Sequence, residues 1–217
     1  MKTALLFGST GLVGGHVLNY LIQNSNYSKI KLFIRSFIEI NDPKIEIIKT
    51  DFNNLNKYDE DIKGDECFFC IGTTKKKSPN KNEYQKIELD IPKKIAQITK
   101  SNLVKSFFFV SSGYANPKSS GDYLKFKGLV EDEIKNLNFD KIGIMRPSIL
   151  LGKRKVERVG EKFGIIIFKV LTPILVGHLR KMRPIKAEIV AKAMVKLANE
   201  NINQSIFESN EIVELVR

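Results

Sequence analysis

Apolar positions along the chain alternate between short unbroken runs and longer stretches with helical spacing. Lys2–Phe7 is one such run, and Leu12–Gln23 follows it with Val13, Val17, Leu18 and Leu21 on one helical face. Lys29–Ile34, Lys44–Lys49 and Glu66–Ile71 predict the next three strands. Asn82–Lys100 predicts a long helix, Ser106–Val110 a fifth strand, Asp122–Asn136 another helix and Lys141–Met145 a sixth strand. Runs that are apolar throughout, instead of at every second residue, belong to strands buried on both faces, and strands that alternate with helices join by right-handed crossovers. The expectation is an α/β fold: a doubly wound parallel sheet with helices on both faces.

Beyond Arg146 the pattern loosens. Phe163–Leu171 and Lys186–Asn199 read as helices, Pro173 and Pro184 punctuate the stretch between them, and Ser205–Glu208 fits a last short strand. With no repeat and no low-complexity linker, residues 1–217 read as a single domain. Ligands of such sheets bind beyond the carboxyl ends of the strands, which makes residues 150–186 the expected substrate-side lid. The longest apolar run, Phe163–Gly177, is broken by Lys169 and Pro173 and is too short to span a bilayer. Met1–Phe7 leads straight into a glycine-rich turn, unlike a signal peptide. A cytoplasmic protein without a membrane span is the resulting expectation.

The net charge is +12, but the lysines are spread along the chain with no interleaved aromatic stripe, so no nucleic-acid partner is expected. Their modest role is to attract an anionic ligand. Cys67 and Cys70 have the spacing of a redox or zinc pair. Residues three apart on a strand face opposite ways, and His16 and His178 lie far off in sequence. Two buried thiols and no metal site are expected.

Gly8-Ser9-Thr10-Gly11-Leu12-Val13-Gly14 falls between the first predicted strand and its helix. Glycines there permit a tight turn and close approach of backbone to phosphate, while the helix start supplies free N–H groups and the positive dipole end. The strand–turn–helix order makes this a dinucleotide-binding turn of a Rossmann-type fold. The second strand ends in Arg35-Ser36, where an acid would hold the hydroxyls of an adenosine ribose. A planar, multidentate arginine instead suits a 2′-phosphate, so NADPH is the expected cofactor and NADH the alternative. Asp51-Phe52, after the third strand, is placed to meet the adenine, and Ile71-Gly72-Thr73, after the fourth, to pack against ribose and pyrophosphate.

The fifth strand ends in Ser111-Ser112, and Tyr123-Leu-Lys-Phe-Lys127 opens the next helix. Tyr and Lys at i and i+4 share one helix face, and an ammonium beside a phenol favours proton exchange near neutrality. A serine hydroxyl at the neighbouring strand end can orient a substrate oxygen. Ser112 is preferred, with Ser111 the alternative, because a one-residue slip exchanges the faces. Tyr114 is the weaker candidate acid, since Pro117 separates it from Lys118.

These segments, with Cys70-Ile-Gly-Thr-Thr74 and Met145-Arg-Pro-Ser-Ile-Leu-Leu151, run almost end to end. Together the chain resembles the short-chain dehydrogenase/reductase superfamily, in its atypical branch of Tat-interacting-protein-like oxidoreductases. The resemblance implies Tyr123 as general acid/base and Lys127 as its electrostatic partner, also holding the ribose of the nicotinamide half. It implies that Pro147, Ser148 and Ile149 close over the nicotinamide side. The function that follows is NADPH-dependent hydride transfer to a small carbonyl substrate. Two alternatives stand beside it: an NADPH-binding regulatory or redox-sensing protein acting through a protein partner, and a nucleotide-sugar epimerase or dehydratase. A homo-oligomer is compatible with each.

Overall fold

The computed structural model of the chain describes residues 1–152 and 177–217; the predicted helix Phe163–Leu171 and most of the expected lid lie outside them. The first half runs β1 (Lys2–Phe7), α1 (Leu12–Gln23), β2 (Tyr27–Ile34), β3 (Ile45–Lys49), β4 (Glu66–Phe69), α2 (Lys81–Gln85) and α3 (Ile91–Ser101). The second runs β5 (Ser106–Val110), α4 (Asp122–Asn136), β6 (Lys141–Arg146), β7 (Leu150–Leu151), β8 (Ile185–Lys186), α5 (Ala187–Asn199), β9 (Ile206–Glu208) and α6 (Ser209–Leu215). The described residues form a seven-stranded parallel sheet in the order β3-β2-β1-β4-β5-β6-β9, with β7 and β8 paired apart from it. This is the Rossmann-type doubly wound fold. Strand order reverses beside β1, which opens a crevice at the carboxyl ends of β1 and β4.

Burial on both faces follows from the period of two. Ala4 and Leu6 of β1, Phe68 of β4 and Phe108 of β5 pack under α1 and α5. Leu5, Phe7, Cys67, Phe69, Phe107 and Phe109 face α3 and α4. On that second face Phe33, Phe7, Phe69 and Phe109 share one register row across four strands. Their ring centroids are 4.3, 5.9 and 6.0 Å apart in succession. The row lies near the carboxyl ends of the strands and forms an apolar floor beneath the loops of the crevice.

Three departures from the sequence pattern have local causes. The helix expected over Asn82–Lys100 is interrupted by a π turn, Lys86–Asp90, between α2 and α3. Pro92 has no N–H to give the carbonyl four residues back, and the Ile91 N–H reaches instead to the Lys86 carbonyl, five residues back. β7 and β8 are two residues each, too short to show a period. α6 has only seven residues and starts with a reciprocal capping box between Glu208 and Glu211. Among the described residues no helix is long and apolar enough to cross a membrane.

The phenylalanine floor makes a stability prediction. Phe69→Ala should lower unfolding free energy by about 3–5 kcal/mol in urea denaturation, because Phe69 is fully buried between two other rings. Phe37→Ala, at a residue 76% exposed, should stay within about 0.5 kcal/mol of the unaltered protein.

Candidate active site

The glycine turn is a close crossing of three backbones. Gly8 has φ +89°, and a Cβ there would lie 2.8 Å from the carbonyl carbon of Cys70 at the end of β4. A Cβ on Gly14 would lie 2.1 Å from the Gly8 carbonyl oxygen, so α1 can start this close to β1 only with glycine at that position. Gly11 caps α1, its N–H donates to the Gly8 carbonyl at 2.9 Å, and the first turn of the helix has neither a side-chain cap nor an acid. The Ser9 hydroxyl is buried and has no hydrogen-bond partner among the described residues. An uncapped helix start, a glycine cradle and an unpaired buried hydroxyl fit the diphosphate of a dinucleotide. Gly8, Thr10 and Gly11 line the crevice, whereas Val13 and Gly14 are buried and Leu12 packs against the core.

The crevice is a cavity of about 910 Å³. Arg35, Asp51, Phe52, Ile71, Gly72 and Thr73 all reach its wall; Ser36 does not. Lys49, which the sequence pattern left unassigned, is the register partner of Ile34 and stands beside Arg35 at the neighbouring strand end. Lys77 and Lys86 add two further cations, and Lys86 donates to the Asn53 side chain. Their spacing carries no motif; strand pairing and the helix break bring them together. Asp51 accepts the backbone and side-chain N–H groups of Asn53 at 2.9 and 2.8 Å.

Tyr123, Lys127, Ser111 and Ser112 lie off that wall, around the start of α4 and the end of β5. Tyr123 is 37% exposed and Lys127, one turn on, is 3% exposed. The Lys127 ammonium lies 5.9 Å from the centre of the Tyr123 ring and 4.8 Å from that of Phe109. It ion-pairs with Glu88 at 3.0 Å and donates to the Val110 carbonyl at 3.3 Å. Burial alone would pull this ammonium below its ordinary pKa; Glu88 first, then Tyr123 and Glu131, outweigh burial and hold it above. Glu88 had no signal in the sequence, because its partners Thr73 and Lys127 lie far along the chain on either side.

The two serines differ. The Ser111 hydroxyl donates to Glu131 at 2.5 Å, and Arg146 clamps the same carboxylate at 3.0 and 2.6 Å while reaching Glu208 at 3.3 Å. That hydroxyl belongs to a buried network joining β5, α4, β6 and β9. The Ser112 hydroxyl has a 3.4 Å contact with the Gly113 carbonyl. Pro147, Ser148 and Ile149 fasten chain segments: the Pro147 carbonyl accepts from the Gly113 N–H, the Ser148 hydroxyl donates to the Arg183 carbonyl, and the Ile149 carbonyl accepts from the Ile185 N–H. Tyr114 sits at φ +65°, half-exposed, with the Lys181 ammonium 5.2 Å from its ring centre.

Residues 8–201 match the family model described as NAD(P)H-binding. Protein FMP52, mitochondrial, of Debaryomyces hansenii is 32% identical over 93% of this chain and 90% of its own length. Protein HTATIP2 of Rattus norvegicus is 30% identical over 74% and 67%. Among solved structures, the Bordetella bronchiseptica enzyme WbmH in complex with NAD+ superimposes with a TM-score of 0.70 at 15% identity, covering 95% of this chain and 74% of that one. A UDP-N-acetylglucosamine 4-epimerase from Methanobrevibacter ruminantium gives 0.69 at 20% identity, covering 98% and 80%. The expected cytoplasmic location does not stand: the FMP52 relatives are named as mitochondrial proteins. Location depends on an address and not on the fold, and an unremarkable amino-terminal strand was poor ground for the expectation.

Three outcomes follow from the thiols and the Ser111 hydroxyl. Burial pushes the Cys70 thiol up to about 12 and the Cys67 thiol up as well. Ellman's reagent at pH 8 should therefore react with both more slowly than with the denatured chain, at Cys70 about a thousand-fold more slowly. The folded chain keeps these protons where the unfolded chain, with thiols near pH 8.5, gives them up. Stability should accordingly fall as pH rises from about 8.5 toward 12, read as a falling denaturation midpoint. Ser111→Ala removes a donor from buried Glu131 and should cost about 1–3 kcal/mol, while Ser112→Ala should leave the denaturation midpoint nearly unmoved.

Proposed function

Because the chain belongs to the NAD(P)H-binding family, in its atypical short-chain dehydrogenase/reductase branch, we propose that it is an NADPH-dependent oxidoreductase that reduces a small carbonyl compound. The reading rests on Tyr123 and Lys127 one turn apart at the start of α4, the ammonium buried and kept charged beside the crevice. A bound nicotinamide cofactor supplies the hydride. Tyr123 gives its phenolic proton to the carbonyl oxygen as alkoxide charge develops, and Lys127 supplies the positive charge that offsets the phenolate left behind. Ser112 is the hydroxyl that orients the substrate oxygen, since Ser111 is committed to Glu131.

The glycine turn and the α1 start hold the diphosphate, with the Ser9 hydroxyl as a further donor. Arg35 and Lys49 recognise the 2′-phosphate at the adenosine end: two cations on adjacent strand ends match a dianion far better than a neutral diol. The Lys127 ammonium adjoins Gly72, where a Cβ would lie 4.0 Å from it, which supports the reading of Lys127 as the residue that holds the nicotinamide-half ribose.

Fluorescence titration with NADPH and NADH, followed by an aldehyde and ketone panel, tests the reading. Arg35→Ala should weaken NADPH at least about ten-fold, in line with loss of a charge-assisted hydrogen bond, and leave NADH nearly unchanged. Tyr123→Phe should keep NADPH affinity and lower kcat by about 10²–10⁴-fold. An inherent NADH preference sinks the arginine assignment, and undiminished turnover by Tyr123→Phe sinks the mechanism. Tight NADPH binding with no turnover on any carbonyl favours a regulatory protein instead.

A further inference from the structure

We infer that Glu88 is a positioning residue of the reacting end, one carboxylate oxygen fixing the Lys127 ammonium and the other fixing the cofactor-wall loop at Thr73. The inference rests on the reading of Lys127 as the residue that serves the nicotinamide half. Glu88 is 1% exposed and sits in the π turn Lys86–Asp90. Its Oε1 accepts the Thr73 N–H at 2.5 Å, and its Oε2 meets the Lys127 Nζ at 3.0 Å. Both partners belong to the candidate site and come from different elements: Thr73 from the loop after β4, on the crevice wall, and Lys127 from α4, one turn after Tyr123.

The pair abuts the wall itself. A Cβ on Gly72 would lie 3.5 Å from Glu88 Oε1 and 4.0 Å from Lys127 Nζ, so the buried ion pair lies directly behind Gly72 of the crevice wall. Among the described residues Glu88 is the carboxylate within ion-pair distance of Lys127; Glu131, also on α4, is taken up by Arg146 and Ser111. Other titratable groups facing the pair are Tyr123 on α4, Tyr84 on α2 and Cys70 at the end of β4. Tyr84 and Cys70 offer no negative charge at neutral pH to replace Glu88, because burial pushes the Tyr84 phenol and the Cys70 thiol upward. π turns recur at functional sites, where the extra residue re-aims one side chain inward. Here the turn carries Glu88, which is buried between Thr73 and Lys127.

Glu88→Gln separates holding from filling, because the amide can still accept from Thr73 but carries no charge. In protein labelled with ¹³C-lysine, the Lys127 signal is assigned by its absence in Lys127→Met and followed against pH. The titration should move down by at least about one pH unit in Glu88→Gln and stay near the unaltered value in Glu88→Asp. NADPH should bind about ten-fold more weakly to Glu88→Gln, while 2′,5′-ADP, which probes the adenosine end alone, should bind within about two-fold of the unaltered protein. An unmoved Lys127 titration overturns the inference, and so does an equal loss for both nucleotides, which would make Glu88 a mere wall support. If Glu88→Gln does not fold, Glu88→Asp and the doubly neutral Glu88→Gln/Lys127→Met carry the same comparison: the double variant should fold and keep 2′,5′-ADP while losing NADPH affinity. Loss of 2′,5′-ADP as well would overturn the inference. Failure of the unaltered protein to bind NADPH defeats the oxidoreductase reading, and the Lys127 titration still decides whether Glu88 holds that ammonium.

Discussion

Three backbones meet at the glycine turn with no space for a side chain between them, and the rest of the site is arranged around that meeting. Gly14 lets α1 begin against the Gly8 carbonyl, and Gly8 in its left-handed conformation lets β1 end against the Cys70 carbonyl of β4. The crossing lies where the strand order reverses, so the carboxyl ends of β1 and β4 diverge above it and the crevice opens there. A methyl group at Gly14 would push the helix off the sheet and close the anion cradle in the same movement. Fold and binding are therefore a single constraint at this point.

Above the crossing, an apolar floor carries a charged superstructure. The phenylalanine row excludes water from beneath the loops, and the Lys127 ammonium rests on its Phe109 end. Tyr123, Lys127 and Glu131 stand at i, i+4 and i+8 on α4, a polar stripe on the side that packs toward the sheet. Each buried charge on that stripe has its counter-charge on another element: Lys127 on Glu88 of the π turn, Glu131 on Arg146 of β6. The opposite end of the sheet has a comparable group in Glu66, held by Lys2 and the Tyr27 hydroxyl, but that network lies away from the residues lining the crevice and ties β1, β2 and β4 to the end of α5 at Ala198 and Asn199.

The succession of strands and helices along the chain, the glycine turn and the Tyr–Lys spacing were legible because each is local: a period, a turn, one helical turn. The break before α3 was not, although Pro92 stands just after it, because α2, the π turn and α3 run on without a loop and the apolar positions alone do not mark the inserted residue. Lys49 and Lys86 read as solvated lysines until strand pairing and the helix break set them on the crevice wall. Glu88 was invisible for the same reason on a larger scale: a carboxylate in a predicted helix reads as an exposed one, and only a contact 39 residues away in sequence makes it a buried partner. The paired serines were legible as a pair; their difference comes from Glu131 and Arg146, which no local pattern joins to Ser111.

The charges on α4 bear on why a fold with so much apolar surface keeps ions inside it. A buried ion pair recovers little more than the cost of removing its members from water, and a well-packed apolar substitute often serves stability as well or better. Breaking such a pair, by contrast, strands a charge. Lys127 and Glu88 together thus add little to the holding of α4 against the sheet, which Phe126, Val130 and Ile134 already secure from the same helix. What the pair does supply is a fixed ammonium behind Gly72 of the crevice wall, beside the Tyr123 ring. Stability alone gives that arrangement no cause, whereas the proposed delivery of a proton from Tyr123 gives it one.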